Sequence, residues 1–469
     1  MNLLLTFPNC AYSILRHRNV YRHINIACAM LFMLCLLFSG LVGCNQEAID
    51  LTTTDELVIY VPGYKYFDTD DKKFRKAISD FKMEYPDVNL VVETIGDESN
   101  SPYDQYQSRV NSELMAGSGP DIILTEYFQD LYKSIDMGVF LDLSSIIEQD
   151  REFMMEEYNE VVMSAGAYKG GQYMLPTSYY LPVLITEQEA LRSIGFDVNE
   201  STDFVSFFTE IAKCLPKMQE NPTFSRVIVS RIDDRILNTS GIKLYDYEQE
   251  EVLPDEAVFK TLCEVIKPYW PIETSDNWPN ATTKVSENIL IGSYFFYSDW
   301  TPSTNCLLVW SEIKAFQGTP ILTAIRTIDG GLNAEVLKGL AIRAGSKNQR
   351  NAWNFIKIML SETIQYSIPG YGIIEGFPVN KAALLREITD VSNEDSWTGL
   401  NQGVFLLAIP WEEKEPFLQL HESITSVSFR NIIFLGIFQN CMESYLLDER
   451  PYDECVMELI NNVKLYVSE

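Results

Sequence analysis

Residues 114–127 read LMAGSGPDIILTEY and contain the end of a helix, a turn and a strand. The glycines at 117 and 119 and the proline at 120 stop a helical pattern that covers residues 103–116. The apolar run Ile122–Leu124 that follows is typical of a buried strand. A helix that ends directly before a buried strand is characteristic of an α/β unit.

The alternation of strands and helices continues on either side of this segment. Residues 57–61 (LVIYV) and 88–94 (VNLVVET) are apolar, β-branched runs, and they predict two further strands. Between them, apolar residues from Phe74 to Phe81 recur at the i, i+3, i+4, i+7 spacing of one helix face. Amphipathic helices are also predicted at residues 203–215, 347–361 and 453–467. The pattern predicts an α/β fold with a largely parallel sheet.

Length and composition limit the classes of protein to which the chain can belong. Its 469 residues exceed what one hydrophobic core usually supports, so we expect about two domains. Hydrophobic residues make up 46% of the sequence, which excludes a disordered chain. With 66 acidic against 36 basic residues, the net charge is -30. Because such a surface repels phosphate backbones, we expect no nucleic-acid partner.

The first 43 residues are predicted to be a signal peptide and not part of the fold. A basic stretch precedes the almost continuous apolar run at 24–42, and the segment LVGC ends at Cys44. LVGC resembles the lipobox of bacterial lipoproteins, whose cysteine becomes lipid-modified and N-terminal. The alternative is an uncleaved membrane anchor, and either form exports the rest of the chain. We expect an extracytoplasmic protein, lipid-anchored to the cell membrane through Cys44, with a flexible tether over residues 44–56.

The sequence contains no motif of a common enzyme class. It has no G-x-S-x-G, S-x-x-K, H-E-x-x-H or Walker motif and no C-x-x-C pair. Only one histidine, His421, lies outside the N-terminal stretch, so a zinc site built from several histidines is excluded and His421 is expected to be structural or solvent-facing. Small buried apolar roles are expected for the scattered cysteines Cys214, Cys263, Cys306, Cys441 and Cys455. We therefore expect no enzymatic activity, no metal and no cofactor. An exported glycosidase with two carboxylates and a surface sensor or adhesin are the alternatives.

Six segments, in order along the chain, resemble the family 1 extracellular solute-binding proteins of bacterial ABC importers. They are FRKAISDFKMEYPDVNLVVE (74–93), LMAGSGPDIILTEY (114–127), GVFLDLSSII (138–147), AYKGGQYMLPTSYYLPVLITEQEALRSIGFD (167–197), GLAIRAGSKNQRNAWNFIKIML (339–360) and GFPVNKAAL (376–384). Each segment alone is a weak signal, and the six together are a strong one. The chain departs from the family at Thr186-Glu187, where relatives usually have Tyr-Asn near the hinge and the ligand.

The resemblance implies a two-lobed periplasmic-binding-protein-like fold, with a hinge and a ligand cleft between the lobes. Following the family pattern, lobe 1 is expected at residues 51–143 and 314–363, and lobe 2 at residues 144–313 and 364–469. The implied function is capture of a small solute and its delivery to ABC permease subunits in the membrane. We expect the protein to act as a monomer.

Ligand contacts are expected where strands end, because open α/β sheets bind their ligands beyond the carboxyl ends of the strands. A sugar needs flat aromatic surfaces for its ring face and carboxylates or amides for its hydroxyl rim. The candidates are Tyr64, Glu126, Tyr127, Tyr179, Tyr180, Asp299, Trp300 and Tyr371. Trp300 is the favoured member, since it is a large flat residue beside an acid. We expect the solute to be a carbohydrate, with an oligosaccharide favoured and peptides or other polar metabolites as the alternative.

Overall fold

The computed structural model describes residues 51–62, 72–96, 102–125, 130–220, 226–228, 235–273, 294–296, 304, 306–315, 317–336, 338–367, 376–397 and 405–468. Residues 51–469 form a compact unit of their own, and the following statements concern the described part of that unit.

The described strands are mostly short. They are β1 Glu56–Pro62, β2 Asn89–Ile95, β3 Ile122–Leu124, β4 Ala167–Tyr168, β5 Gly171–Gln172, β6 Leu175–Pro176, β7 Ser178–Tyr179, β8 Val183–Glu187, β9 Arg226–Ile228, β10 Tyr245–Asp246, β11 Glu251–Val252, β12 Tyr294–Phe296, β13 Pro320–Ala324, β14 Asn333–Val336, β15 Gly339–Ile342, β16 Phe377–Pro378, β17 Ser396–Trp397, β18 Phe405–Leu406 and β19 Ser426–Phe429.

Helices connect most of these strands. They are α1 Lys72–Glu84, α2 Pro102–Met115, α3 Leu131–Asp136, α4 Ser144–Gln149, α5 Glu160–Met163, α6 Gln188–Ile194, α7 Phe204–Glu220, α8 Ile236–Ser240, α9 Glu256–Ile266, α10 Trp270–Glu273, α11 Cys306–Ala315, α12 Gln349–Leu360, α13 Glu362–Gln365, α14 Lys381–Asp390, α15 Trp411–Glu422, α16 Ile432–Leu446 and α17 Tyr452–Ser468. The predicted helices at 103–116, 203–215, 347–361 and 453–467 are confirmed as α2, α7, α12 and α17. Among the described helices, none is both long and apolar enough to span a bilayer.

A five-stranded sheet with the order β2-β1-β3-β15-β6 contains all three predicted strands. β1 pairs in parallel with β2 and β3, whereas β15 runs antiparallel to β3 and β6. Helices α1 and α12 pack together through Phe81 and Phe355, whose ring centroids lie 5.6 Å apart. The α/β fold is therefore confirmed. The pairings among β2, β1 and β3 are parallel, and those of β15 with β3 and β6 are antiparallel.

Asp121, which follows the Gly-Ser-Gly-Pro turn, joins several of these elements. Its carboxylate is 2% exposed and accepts hydrogen bonds from the Val58 backbone N–H (2.8 Å), the Ser346 hydroxyl (2.6 Å) and the Asn348 amide (2.9 Å). The Arg343 guanidinium lies 3.6 Å away. The turn therefore ends helix α2 and also places a buried anion that links β1 to the segment before α12.

A second core forms around the aromatic face of α7. Phe204, Phe207 and Phe208 are fully buried there, and the Phe208 ring lies 5.5 Å from that of Tyr269. Helices α9, α16 and α17 contribute most of the other buried residues of this cluster. The five cysteines outside the N-terminal stretch are buried, as predicted. The aromatic face of α7 could be predicted from the sequence because three phenylalanines recur at helical spacing.

Two strand pairings do not follow the predicted lobe boundaries. β6, which the sequence placed in lobe 2, pairs with β15 in the five-stranded sheet. β13, which the sequence placed in lobe 1, pairs with β8 from Pro320–Glu187 to Ala324–Val183. Because hydrogen-bonded strands move as one body, we propose crossings between lobes at about residues 177–182 and about residues 325–338.

The backbones of these two segments pair with each other. The Tyr180 N–H donates to the Glu335 carbonyl (2.8 Å), and the Glu335 N–H donates to the Tyr180 carbonyl (3.0 Å). The Thr177 N–H donates to the Lys338 carbonyl (3.1 Å). We propose that this paired connection is the hinge about which the flanking elements rotate.

Candidate functional site

A cavity of about 210 Å³ lies beside this connection. One side is formed by the start of α3 and by β4, with Tyr132 and Tyr168. The other side is formed by residues 235–248 and by the segment 427–435 around the start of α16. With the crossings proposed above, α3 and β4 belong to one lobe and residues 235–248 to the other, so the cavity has the position expected for a ligand cleft.

Tyrosine rings form the walls of the cavity. Tyr132 lies 4.5 Å from Tyr247 and 5.2 Å from Tyr168, measured between ring centroids. Tyr245 packs edge-on against Tyr247 at 4.8 Å. Burial raises the pKa of Tyr132 to about 12 and, with help from Asp130, raises the pKa of Tyr247 as well. The hydroxyls are therefore protonated at neutral pH and can donate hydrogen bonds.

Asp130 connects the two sides of the cavity. Its side chain caps α3 by accepting from the Lys133 N–H (3.1 Å), and it also accepts hydrogen bonds from the hydroxyls of Tyr247 and Tyr466, the latter at 3.1 Å. The Lys133 ammonium lies 4.1 Å from the Tyr466 ring centroid. We call Asp130, Lys133, Tyr247 and Tyr466 the Asp130 cluster. Its hydrogen bonds and cation–π contact join α3 to residue 247 and to α17.

Glu335 organises the polar floor of the cavity. One carboxylate oxygen accepts a hydrogen bond from the Asn238 amide (2.9 Å), and the other lies 3.9 Å from Arg430 Nε. The Arg235 guanidinium stacks over the Tyr180 ring at 4.8 Å. Glu335 is 5% exposed, so its charge is held by these neighbours and not by bulk water. Arg235, Asn238 and Arg430 therefore line the floor, and Glu335 lies behind them in contact with Asn238 and Arg430.

The side-chain amide of Asn333 holds two residues of this floor in place. The Asn333 side chain donates to the Asn238 carbonyl (2.8 Å) and to the Ser428 hydroxyl (2.9 Å). Asn333 and Glu335 both lie on β14, which pairs in parallel with β19, the strand that carries Ser428. Since alternate residues of a strand point to the same face, the two side chains act together from one strand.

Of the eight predicted ligand residues, two are described. Tyr180 is 3% exposed and lies behind Arg235, with its backbone in the crossing. Tyr179 is fully buried: its ring packs 5.7 Å from Phe377, and its hydroxyl is 2.7 Å from His421 Nδ1. Contact of either residue with a ligand stays a prediction. The other predicted residues, Tyr64, Glu126, Tyr127, Asp299, Trp300 and Tyr371, and the lipidation candidate Cys44 lie outside the described residues.

His421 is buried and structural. Its ring packs 4.4 Å from Phe377 and 5.0 Å from Phe417, and burial lowers its pKa to about 3. It is therefore neutral at physiological pH and packed among aromatic rings. In the described part of the chain, no group of three or more His, Cys, Asp or Glu side chains is placed to hold a metal ion.

The tyrosines and arginines that line the cavity were not among the residues predicted from the sequence. Tyr132 and Tyr168 lie on a short helix and a two-residue strand, and Tyr245 and Tyr247 lie at a hairpin within a polar segment. The close spacing of Tyr245 and Tyr247 was the one available signal. In a chain with 25 tyrosines that signal could not have been separated from surface or core roles.

Comparisons with known proteins show the family and the fold of the chain. A family profile described as bacterial extracellular solute-binding protein matches residues 76–396. None of the curated protein sequences compared with the chain matches it. Many solved structures share its fold.

Three of these structures have TM-scores between 0.50 and 0.61. The sugar-binding protein MalE from Xanthomonas citri has a TM-score of 0.61 at 13% identity, covering 87% of this chain and 96% of its own. A substrate-binding protein from Listeria monocytogenes, in complex with cycloalternan, has a TM-score of 0.54 at 14% identity, covering 88% and 99%. UgpB from Mycobacterium tuberculosis, in complex with glycerophosphocholine, has a TM-score of 0.50 at 14% identity, covering 87% and 97%.

At 13–14% identity these structures establish the fold, which is the two-lobed α/β architecture of periplasmic solute-binding proteins. The family profile covers more than half of the sequence and confirms the resemblance carried by the six segments. The chain belongs to the bacterial extracellular solute-binding protein family.

Proposed function

We propose that the protein is the extracytoplasmic receptor of an ABC importer and binds a carbohydrate in the tyrosine-walled cavity. The observation that carries the proposal is the cavity itself, which is lined by the rings of Tyr132, Tyr168 and Tyr247 and by the amide and guanidinium groups of its floor. Aromatic walls suit the apolar faces of a sugar ring, and a polar floor suits its hydroxyls.

The structural neighbours support this ligand class. The Xanthomonas citri protein is described as sugar-binding, and the Listeria monocytogenes protein holds cycloalternan. At about 210 Å³, the cavity is smaller than the roughly 300–1,000 Å³ of typical ligand pockets. In this conformation it fits a small solute or one end of a longer one.

The mechanism proposed for solute capture is closure of the two lobes. We propose that the protein alternates between an open form and a closed form about the Tyr180–Glu335 connection, and that solute bound by both sides shifts the population to the closed form. The Asp130 cluster is formed in the closed form. The closed form would present both lobes to the permease subunits, and we expect the receptor to do so as a monomer.

The proposal is tested by a thermal-shift screen of residues 46–469, which contain the whole compact unit, against sugars, peptides and polyols. A sugar present at 100 times its dissociation constant should stabilise the protein by roughly 2.7 kcal/mol. The same samples are analysed for product, because a receptor returns its solute unchanged. Stabilisation by peptides alone, or sustained turnover, would reject the proposed function.

Attachment to the membrane is tested at the lipobox. Cys44→Ala removes the thiol that would carry the lipid, so the variant should show no incorporation of labelled fatty acid and should remain uncleaved or be released from the membrane. The measurement is metabolic labelling followed by fractionation, with Cys214→Ala as a control that keeps Cys44. Unchanged labelling of the Cys44 variant would disprove the lipobox assignment.

A further inference from the structure

We infer that the solute is a sugar with an apolar substituent, and that this substituent binds against a hydrocarbon surface inside the cavity. A 6-deoxy methyl group, an N-acetyl methyl group and an alkyl aglycone share this chemistry. The inference rests on the proposed function and narrows the carbohydrate to a chemical class. It starts from the part of the lining that is neither tyrosine nor polar. The side chains there include Leu237, Ile242, Leu244, Val427, Phe434 and Leu435, which we call the apolar patch.

The apolar patch is continuous with the second core of the protein. Leu237, Leu244 and Phe434 are buried members of that core, and Ile242 packs against it. The Phe434 ring lies 6.2 Å from the ring of Tyr247, measured between centroids, so the patch adjoins the tyrosine wall. Because the core holds these side chains in place, the patch is a fixed surface and not a set of mobile loop residues.

The backbone of the apolar patch is hydrogen-bonded within the fold. The Ile242 N–H donates to the Leu237 carbonyl (3.1 Å), and the Leu244 carbonyl accepts from the Leu253 N–H (2.9 Å). Val427 lies on β19 and takes part in its pairing with β14. The side chains of the patch are hydrocarbons and carry no hydrogen-bonding atom. A solute on this side of the cavity therefore meets a surface that offers packing and not polar partners.

Such a surface selects a methyl group over a hydroxyl group. A hydroxyl that packs against hydrocarbon gives up its hydrogen bonds to water and gains none in return. A methyl group in the same place leaves water without losing a hydrogen bond, so its burial favours binding. The amide of Asn238 and the hydroxyl of Ser428 line another part of the cavity and suit the hydroxyls of a sugar. The lining as a whole therefore suits a sugar with one polar edge and one apolar substituent.

The test is titration calorimetry on residues 46–469 with matched pairs of sugars. L-fucose is compared with L-galactose and L-rhamnose with L-mannose for the deoxy methyl group. N-acetylglucosamine is compared with N-formylglucosamine, and methyl β-D-glucoside with D-glucose. We expect the member with the additional apolar group to bind about tenfold or more tightly in at least one pair, and with a more negative heat-capacity change. The pair that shows the preference identifies the substituent.

Variants assign the preference to the apolar patch. Val427→Thr exchanges one methyl group for a hydroxyl at nearly constant shape, and Leu435→Gln places an amide in the patch. Both residues are half-buried, and each variant should lower the ratio of the two affinities in the preferred pair by about fivefold or more. Leu385→Gln makes the same chemical change on α14, at a side chain that is 44% exposed and does not line the cavity. It should leave the ratio unchanged.

Two results would overturn the inference. If the two members of every pair bind equally tightly, the solute is not selected by an apolar substituent, while the proposed sugar receptor stands. If both patch variants fold, as judged by thermal unfolding, and keep the wild-type ratio, the patch does not contact the substituent. Failure of every sugar to bind, with or without an apolar group, would overturn the proposed function together with the inference.

Discussion

Replacing Asp121 by alanine should lower the free energy of unfolding by about 3–5 kcal/mol. The carboxylate is buried, and its removal leaves the Val58 N–H, the Ser346 hydroxyl and the Asn348 amide without their acceptor. It also leaves the Arg343 guanidinium, 3.6 Å away, without its anion. Urea denaturation followed by circular dichroism measures the change.

Two further variants show whether the charge or the shape of Asp121 matters. Asp121→Asn keeps the size and one acceptor oxygen, so its loss of stability should be smaller than that of the alanine variant. Asp87→Ala, in the exposed turn before β2, should stay within about 0.5 kcal/mol of the wild type. An alanine variant of Asp121 as stable as Asp87→Ala would mean that the buried hydrogen bonds contribute nothing to the link between β1 and α12.

Asp130→Ala should weaken solute binding by about 10- to 100-fold and enlarge the solute-free protein. Hydrogen bonds to a charged acceptor are worth about 1.5–3 kcal/mol each, and the carboxylate accepts two of them, from Tyr247 and Tyr466. If these bonds exist in the closed form alone, their loss shifts the population towards the open form and raises the apparent dissociation constant. Calorimetry and the radius of gyration from small-angle scattering measure the two effects.

Tyr466→Phe is the matched control for Asp130. It removes one hydroxyl donor and keeps the ring that lies 4.1 Å from the Lys133 ammonium, so both effects should be intermediate. Solute-binding affinity and radius of gyration that both remain at wild-type values in Asp130→Ala would contradict a role in closure. The Asp130 cluster would then lie within one rigid body, and the crossings proposed at about 177–182 and about 325–338 would be misplaced.

The secondary structure could be predicted because its signals are local. The Gly-Ser-Gly-Pro turn ends α2 whatever the rest of the chain does, and the phenylalanine face of α7 follows from spacing alone. The lobe boundaries could not be placed in this way. Residues 175–176 and 320–324 have the composition of strands, but composition does not state which strand is the partner, and the partners of both lie more than 100 residues away.

The site was harder to predict for a related reason. Tyr179 and Tyr180 follow a strand, as ligand residues often do, yet one packs into the core against His421 and the other lies behind an arginine. Tyr247 reaches the cavity from a polar hairpin whose position depends on contacts with α3 and α17. A side chain's role here depends on tertiary neighbours, and a single sequence does not specify those.

The double role of Glu335 affects the order in which a solute would be captured. Its backbone belongs to the pivot proposed between the lobes, and its carboxylate contacts Asn238 and Arg430, which line the cavity, so we expect these two residues to move least when the protein opens. A solute would first bind to the floor residues, and the tyrosine walls would close over it afterwards. The dissociation rate constant should then depend on the aromatic walls.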